Sequence, residues 1–207
     1  MKRIGVLVSG GGSNLQAIID SIKAGRIGAE IAVVIGNKPG VFALERAASH
    51  GIPAIVIDHR EYSSVLEYTK AIVNSLGKYQ VDLVCLAGFL RILDRMLTDA
   101  YPNRVLNIHP ALLPAFGGKG MYGHHVHEAV IASGAKYSGA TVHMVTPKTD
   151  VGPIVLQGIV EVSDIDTPES LAEKVLKIEH RIYPEAIKLV LEEKVVIEGM
   201  RVRLKMQ

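Results

Sequence analysis

KRIGVLVSGGGSNLQAIIDSIKA, Lys2 to Ala24, is the stretch whose reading decides the fold. Lys2 to Val8 is a short, nearly continuous apolar run, the pattern of a strand covered on both faces. Ser9 to Asn14, SGGGSN, breaks it with glycines. Asn14 to Ala24 then places apolar residues at 15, 18, 19 and 22, which is helix spacing. Strand, tight glycine turn and helix together make the opening of a parallel βαβ unit.

Working outward, the alternation repeats. Strands are expected at Ala29 to Ile35, Ala54 to Ile57, Val81 to Ala87 and Arg104 to Ile108. Helices are expected at Val41 to Ser49, at Ser63 to Leu76 ending at Gly77, and at Ile92 to Ala100. Right-handed crossovers between such strands build a sheet with helices on its faces. The pattern changes after about residue 110. Ala111 to Gly123 is a Pro/Gly-rich loop and His124 to Ser133 a helix. Tyr137 to Val145 and Pro153 to Val162 are strands close enough in sequence to pair antiparallel. Thr167-Pro168-Glu169-Ser170 opens a helix with Thr167 as N-cap and Pro168 at its first position. That helix is expected to reach about Ile182, with Pro184 kinking or restarting it. Lys194 to Leu204 reads as a hairpin turning at Glu198-Gly199. The fold class is α/β: a Rossmann-like, mostly parallel sheet flanked by helices, with an antiparallel C-terminal part.

The chain has 207 residues, which suits one domain with a core burying roughly 70% of the unfolded surface. A formal net charge of +2 argues against nucleic acid as the main partner. The single cysteine, Cys85, lies in the apolar run VDLVCLAG, so a reducing compartment and no internal disulfide are expected. No run approaches the ~18 apolar residues of a membrane span, and Ile4 to Val8 is short for a signal-peptide core. The expected location is the cytoplasm, with no membrane partner.

The glycine loop follows a strand and opens a helix. Its backbone N–H groups and the helix dipole favour an anion there, and Ser13 and Asn14 add donors. Leu15 stands where a dinucleotide motif needs its last glycine, and no Gly-Lys-Ser/Thr follows for a P-loop. A monophosphate fits better, and a tight βα turn without a ligand is the plainer alternative.

NIHPALLP, Asn107 to Pro114, carries Asn107 and His109 on one side of a strand end. The carboxyl edge of a parallel sheet is where open α/β folds bind ligands. Asn107 offers an amide N–H to a developing oxyanion, and His109 trades protons near neutral pH. In TDVGPI, Thr149 to Ile154, Asp150 is placed to orient His109 and favour its charged form. With no serine or cysteine nucleophile nearby, direct attack by a substrate amine is favoured over an acyl-enzyme. Packing and capping roles are the plainer alternative for each of these residues alone. Among the remaining histidines, His124, His125 and His127 read as a solvated helix start with one substrate contact rather than a metal cluster. Glu179-His180 reads as a surface pair and His143 as a satisfied core histidine. Arg201, Arg203 and Lys205 read as the solvated face of an edge strand.

SGGGSNLQAI, LAGFLRIL, NIHPALLPAF, GATVHMV, TDVGPIVLQ and IEHRIYP, in this order and over nearly the whole chain, resemble the folate-dependent formyltransferase family. The first of them points to its glycinamide ribonucleotide branch. The resemblance implies a single formyltransferase domain, 1–207. Residues 1–100 would form the lobe for the ribonucleotide phosphate and 101–207 the lobe for catalysis and folate. It implies transfer of a formyl group from 10-formyltetrahydrofolate, the co-substrate, to the glycine amine of the ribonucleotide, with no metal. Gly12, Ser13 and Asn14 match the phosphate loop, and Glu179 a glutamate that contacts the ribonucleotide. Leu90, Arg91, Ile92 and Leu93, with Asn107, match the folate pocket. Asn107 and His109 match the catalytic pair, and Asp150 the aspartate that raises the histidine pKa. Val65 stands where some relatives carry a basic residue near the folate tail, so that contact is not carried over. The partners implied are small molecules, with the chain a monomer or homodimer.

A hydrolase releasing formate from the same folate would use the same Asn–His–Asp set. Such relatives carry an extra N-terminal domain, whereas this chain starts at its first strand. A tRNA-formylating relative would be about 100 residues longer and more basic. A non-catalytic nucleotide-binding module would leave Asn107, His109 and Asp150 without a role.

Overall fold

The structure is a computed structural model describing residues 1–205. Met206 and Gln207, the end of the expected domain span, lie outside the described residues. The chain divides into two compact units, Met1–Leu106 and a second beginning at Asn107.

In the first unit β1 (Lys2–Val8) pairs in parallel with β2 (Ala29–Gly36) and with β4 (Leu83–Leu86), and β2 pairs in parallel with β3 (Ala54–Val56). Ile4, Val6, Leu7, Val33, Val34, Leu83 and Val84 are fully buried, which is why these strands read as continuous apolar runs instead of alternating ones. Helices α1 (Ser13–Lys23), α2 (Phe42–Ser49), α3 (Val65–Lys78) and α4 (Met96–Ala100) connect them. β5 (Val105–His109) leads into the second unit. There α5 (His124–Ser133) precedes β6 (Tyr137–Met144) and β7 (Ile154–Glu161), which pair antiparallel. α6 (Pro168–Leu191) and a separate antiparallel pair, β8 (Val195–Glu198) with β9 (Arg201–Leu204), complete it. Strand order is β3-β2-β1-β4-β5-β6-β7. The mostly parallel sheet, flanking helices and antiparallel C-terminal part are those expected.

Three helices differ from expectation. α3 passes through Gly77 to Lys78, and the chain reverses instead at Gln80, whose φ of 51° is left-handed. Ser64 caps its start by accepting from Glu67 N, and Ile72 and Leu76 are fully buried, so one exposed glycine does not end it. α4 starts at Met96, not Ile92, because Asp94 Oδ1 accepts from Met96 N while Asp94 N donates to Thr69 Oγ1. These bonds fix Asp94 as the start of the turn. α6 continues unbroken past Pro184. An internal proline costs about 3 kcal/mol. Here Ile182, Tyr183, Ala186, Ile187 and Val190 are all buried around it, and burying each large side chain contributes roughly 1.5–3 kcal/mol. Packing therefore outweighs the lost backbone bond. The expected cap is present: Thr167 Oγ1 accepts from Ser170 N, and Ser170 Oγ from Thr167 N. No described helix is long and apolar enough to cross a membrane.

Candidate active site

In the first unit the glycine loop leaves β1 at its carboxyl end. Gly12 is left-handed, with φ 74°, and a Cβ there would lie 2.6 Å from Ala43 Cβ. Only glycine permits both the turn and this close seat on α2. Ala43 N donates to Gly10 O at 3.1 Å, tying the loop down. Gly10 and Gly11 face open space. Ser13, half-buried, and Asn14, buried, are the first residues of α1, where N–H groups lack partners inside the helix.

Arg46 beside this loop and Ser9 within it are given no role by the sequence reading. Arg46 on α2 reaches Gly11 O at 3.4 Å and Gln16 Oε1 at 2.7 Å, bringing a cation to the loop. Ser9 Oγ accepts from Leu90 N at 2.9 Å, joining the glycine loop to the segment that follows β4. On that segment Leu90, Arg91 and Ile92 are exposed and Leu93 is half-buried. Exposed apolar side chains on a strand-end loop suit a flat apolar ligand. Val65 is exposed at the start of α3.

In the second unit Asn107 and His109 project from alternate positions of β5. Asp150 comes from the loop between β6 and β7 and has a left-handed φ of 55°. Its backbone is set by Gly152, where a Cβ would lie 1.6 Å from Met144 O, and by the bond from Met144 N to Pro153 O. The carboxylate lies between two imidazoles: Oδ2 is 3.6 Å from His109 Nδ1, and Oδ1 is 3.7 Å from His143 Nε2. Gly118 N donates to Oδ2 at 2.9 Å. His143 Nδ1 faces Met144 O at 2.9 Å, and a carbonyl only accepts, so Nδ1 carries the hydrogen. His143 Nε2 then accepts from Asn107 Nδ2 at 3.1 Å, which orients the Asn107 amide. His109 Nε2 meets Phe116 O at 2.8 Å.

Burial pushes the His109 pKa down, and this outweighs the upward push of the Asp150 charge and of the Phe116 carbonyl; His143 adds a further downward push. Asp150 thus acts on His109 in the direction expected, but the net shift is towards the neutral ring. For Asp150, burial pushes up, yet the neighbouring His143 and His109 imidazoles and the bond from Gly118 N hold the carboxyl below its usual range. The set offers amide N–H, imidazole and carboxylate within one small buried cluster, which suits acyl transfer with proton exchange.

Two histidine and glutamate readings change and one holds. His143, expected as a satisfied core histidine, is buried with a partner at each ring nitrogen, and it also belongs to this cluster. Glu179, expected on the surface, is 8% exposed, because its face of α6 turns inward with Ile182 and Tyr183. His127 is also buried, on the same face of α5 as Val126 and Val130, whereas His124 and His125 are solvated. His124 pairs with Glu128 and Glu169 at 3.5 Å each. Among the described residues no group of three or more His, Cys, Asp or Glu is placed to hold a metal ion.

Residues 2–187 match the family described as formyl transferase. A chloroplastic phosphoribosylglycinamide formyltransferase of Arabidopsis thaliana is 45% identical over 196 residues, covering 94% of this chain and 67% of the plant protein. The trifunctional purine biosynthetic protein adenosine-3 of Gallus gallus is 43% identical over 188 residues, covering 91% of this chain and 18% of that protein. Against the trifunctional protein, then, the chain spans under a fifth of the length. The crystal structure of glycinamide ribonucleotide transformylase 1 from Symbiobacterium toebii superposes with a TM-score of 0.94 at 48% identity, over 99% of this chain and 94% of that one. With the family match running from the first strand into α6 and the same fold in a solved relative, this chain belongs to the formyl transferase family.

Proposed function

We propose that the chain transfers the formyl group of 10-formyltetrahydrofolate to the glycine amine of glycinamide ribonucleotide, a step of purine biosynthesis. The observation that carries this reading is the Asp150 carboxylate held between His109 and His143, with the Asn107 amide fixed on His143. The names of the Arabidopsis and Symbiobacterium proteins state this transfer, and that of the Gallus protein states purine biosynthesis.

Under this reading Gly12, Ser13 and Asn14 take the ribonucleotide phosphate, and Glu179 contacts the same substrate. Leu90, Arg91, Ile92 and Leu93, with Asn107, take the folate. The neutral amine attacks the formyl carbon; a C–N bond forms and the carbonyl electron pair moves to oxygen. Asn107 Nδ2–H and protonated His109 stabilise that oxyanion. The amine proton passes by way of Asp150 to folate N10 as the C–N10 bond breaks. Formylated ribonucleotide and tetrahydrofolate leave, and no covalent enzyme intermediate forms. One oxyanion donor contributes about 3 kcal/mol of transition-state stabilisation. The partners are small molecules, no metal takes part, and the chain works as a monomer or homodimer. A cytoplasmic location goes with the single, buried Cys85.

The test is to mix the protein with 10-formyltetrahydrofolate, with and without glycinamide ribonucleotide. Tetrahydrofolate release that requires the ribonucleotide, matched by formylated product, is expected. Formate release without it would mean a hydrolase, and no turnover in either mixture would leave a binding module.

A further inference from the structure

The structure assigns Nδ1 of His109 as the nitrogen that exchanges protons with substrate, and the main-chain carbonyl of Phe116 as the positioning group that makes it so. This assignment deepens the proposed function and rests on it for its catalytic meaning.

Phe116 O lies 2.8 Å from His109 Nε2. A carbonyl oxygen has no hydrogen to give, so Nε2 must donate in both the neutral and the cationic ring. Only Nδ1 is left to change its protonation. It faces Asp150 Oδ2 at 3.6 Å, beyond the 2.7–3.2 Å range of an ordinary N–H···O bond. His143 does not compete for this role. Its Nδ1 is spent on Met144 O, and its Nε2 accepts from Asn107. The exchangeable proton of the cluster therefore lies along His109 Nδ1 and Asp150 Oδ2. Bare Nδ1 accepts a proton; Nδ1–H donates to an oxyanion.

One short loop segment sets both members of that pair. Phe116 accepts from His109, and two residues later Gly118 N donates to Asp150 Oδ2 at 2.9 Å. Phe116 has a φ of 53°, a left-handed value that a bulky aromatic residue rarely adopts. Such backbone persists where the surroundings enforce it, and it concentrates at functional sites. Here it turns the carbonyl onto the imidazole. The working part of Phe116 is its backbone conformation, not its ring, so residues that hold φ near 50° will keep the function and residues that forbid it will lose it.

The experiment reads the His109 ring by 15N NMR on the substrate-free protein with labelled histidine, at a pH above its titration. The expected pattern is a proton on Nε2 and a bare Nδ1. A proton on Nδ1 would overturn the assignment, whatever the enzyme turns over. Phe116→Pro, whose φ is fixed near −65°, should mix the two tautomers and lower kcat by about two orders of magnitude while KM changes little. Phe116→Gly, which adopts positive φ freely, should keep the Nε2–H tautomer and most of kcat. Loss of both in the glycine variant would mean that the ring, not the carbonyl, does the positioning. If the proline variant does not fold, the wild-type spectrum and the glycine variant still decide. Because the tautomer is read without substrate, its failure is separate from any failure of the formyl-transfer assay.

Discussion

Nδ1 of His109 and Oδ2 of Asp150 face each other at 3.6 Å, both side chains at most one-tenth exposed, with no other polar atom of His109 left to titrate. The gap is too long for a direct hydrogen bond and leaves both groups with unspent capacity. In the proposed reaction, a pair held this way would pass a proton between the attacking amine and the leaving nitrogen without first breaking a strong internal bond.

Replacing Asp150 by Asn keeps the shape and removes the charge. Formyl transfer should fall about 100-fold or more, as expected for loss of a proton-transfer group. Binding of the ribonucleotide, followed by calorimetry, should stay nearly unchanged. Asp150 pushes the His109 pKa up against burial. Without it the His109 titration should move to lower pH, and with it the alkaline limb of the kcat profile, where protonated His109 is lost. Full activity with an unmoved limb would remove Asp150 from the mechanism.

Ser13→Ala combined with Asn14→Ala takes two polar side chains from the start of α1 but leaves its backbone N–H groups. Ribonucleotide affinity should drop by about tenfold, in line with about 1.4 kcal/mol for lost hydrogen bonds to an anion. Folate affinity should not change. Calorimetry giving the opposite order would reassign the loop.

Gly152→Ala puts a Cβ where Met144 O lies at 1.6 Å, and a backbone oxygen cannot swing aside as a side chain does. Stability should fall by about 2 kcal/mol or more, seen as a lower urea midpoint. Asp150 should be displaced with the loop, so kcat should fall as well. An unchanged midpoint would show that the loop reaches the same place another way.

Acid stability offers a check through one charged pair, Asp58 and Arg60. Arg60 holds Asp58 down from 3.8 to about 2, chiefly through its side-chain hydrogen bonds and then through its backbone N–H. A carboxyl with a depressed folded-state pKa stabilises the fold above its unfolded value and loses that contribution as pH falls through the folded one. Asp58→Asn should lower Tm at pH 7, and the gap to wild type should close between pH 3.8 and about 2. A gap that persists in acid would mean that the charge is not the stabilising element.

Part of the site was legible because its residues are local. Asn107 and His109 share one side of one strand, and their spacing alone puts them together. The glycine loop declares itself by composition between an apolar strand and a periodic helix. His143 was not legible. An apolar strand with one histidine reads as core, and only the fold of the β6–β7 loop brings Asp150 to 3.7 Å from its Nε2. Ser9 was hidden for the same reason: its partner, Leu90 N, is 81 residues away. Arg46 shows no signal in the glycine motif at all, since it arrives from the next helix.

By itself, the sequence determined the α/β class, the order of the elements, the cap at Thr167 and the apolar core, because these follow from periodicity, turn chemistry and burial within short windows. It also set out the Asn–His–Asp constellation. The tertiary structure alone decided that α6 runs through Pro184, that Glu179 faces inward, and that Phe116 turns a carbonyl onto His109. Each of those depends on atoms that are distant in sequence or on a backbone angle. Packing energy from remote side chains overrides a helix breaker, and a hydrogen bond to a main-chain oxygen leaves no mark in the residue type that supplies it.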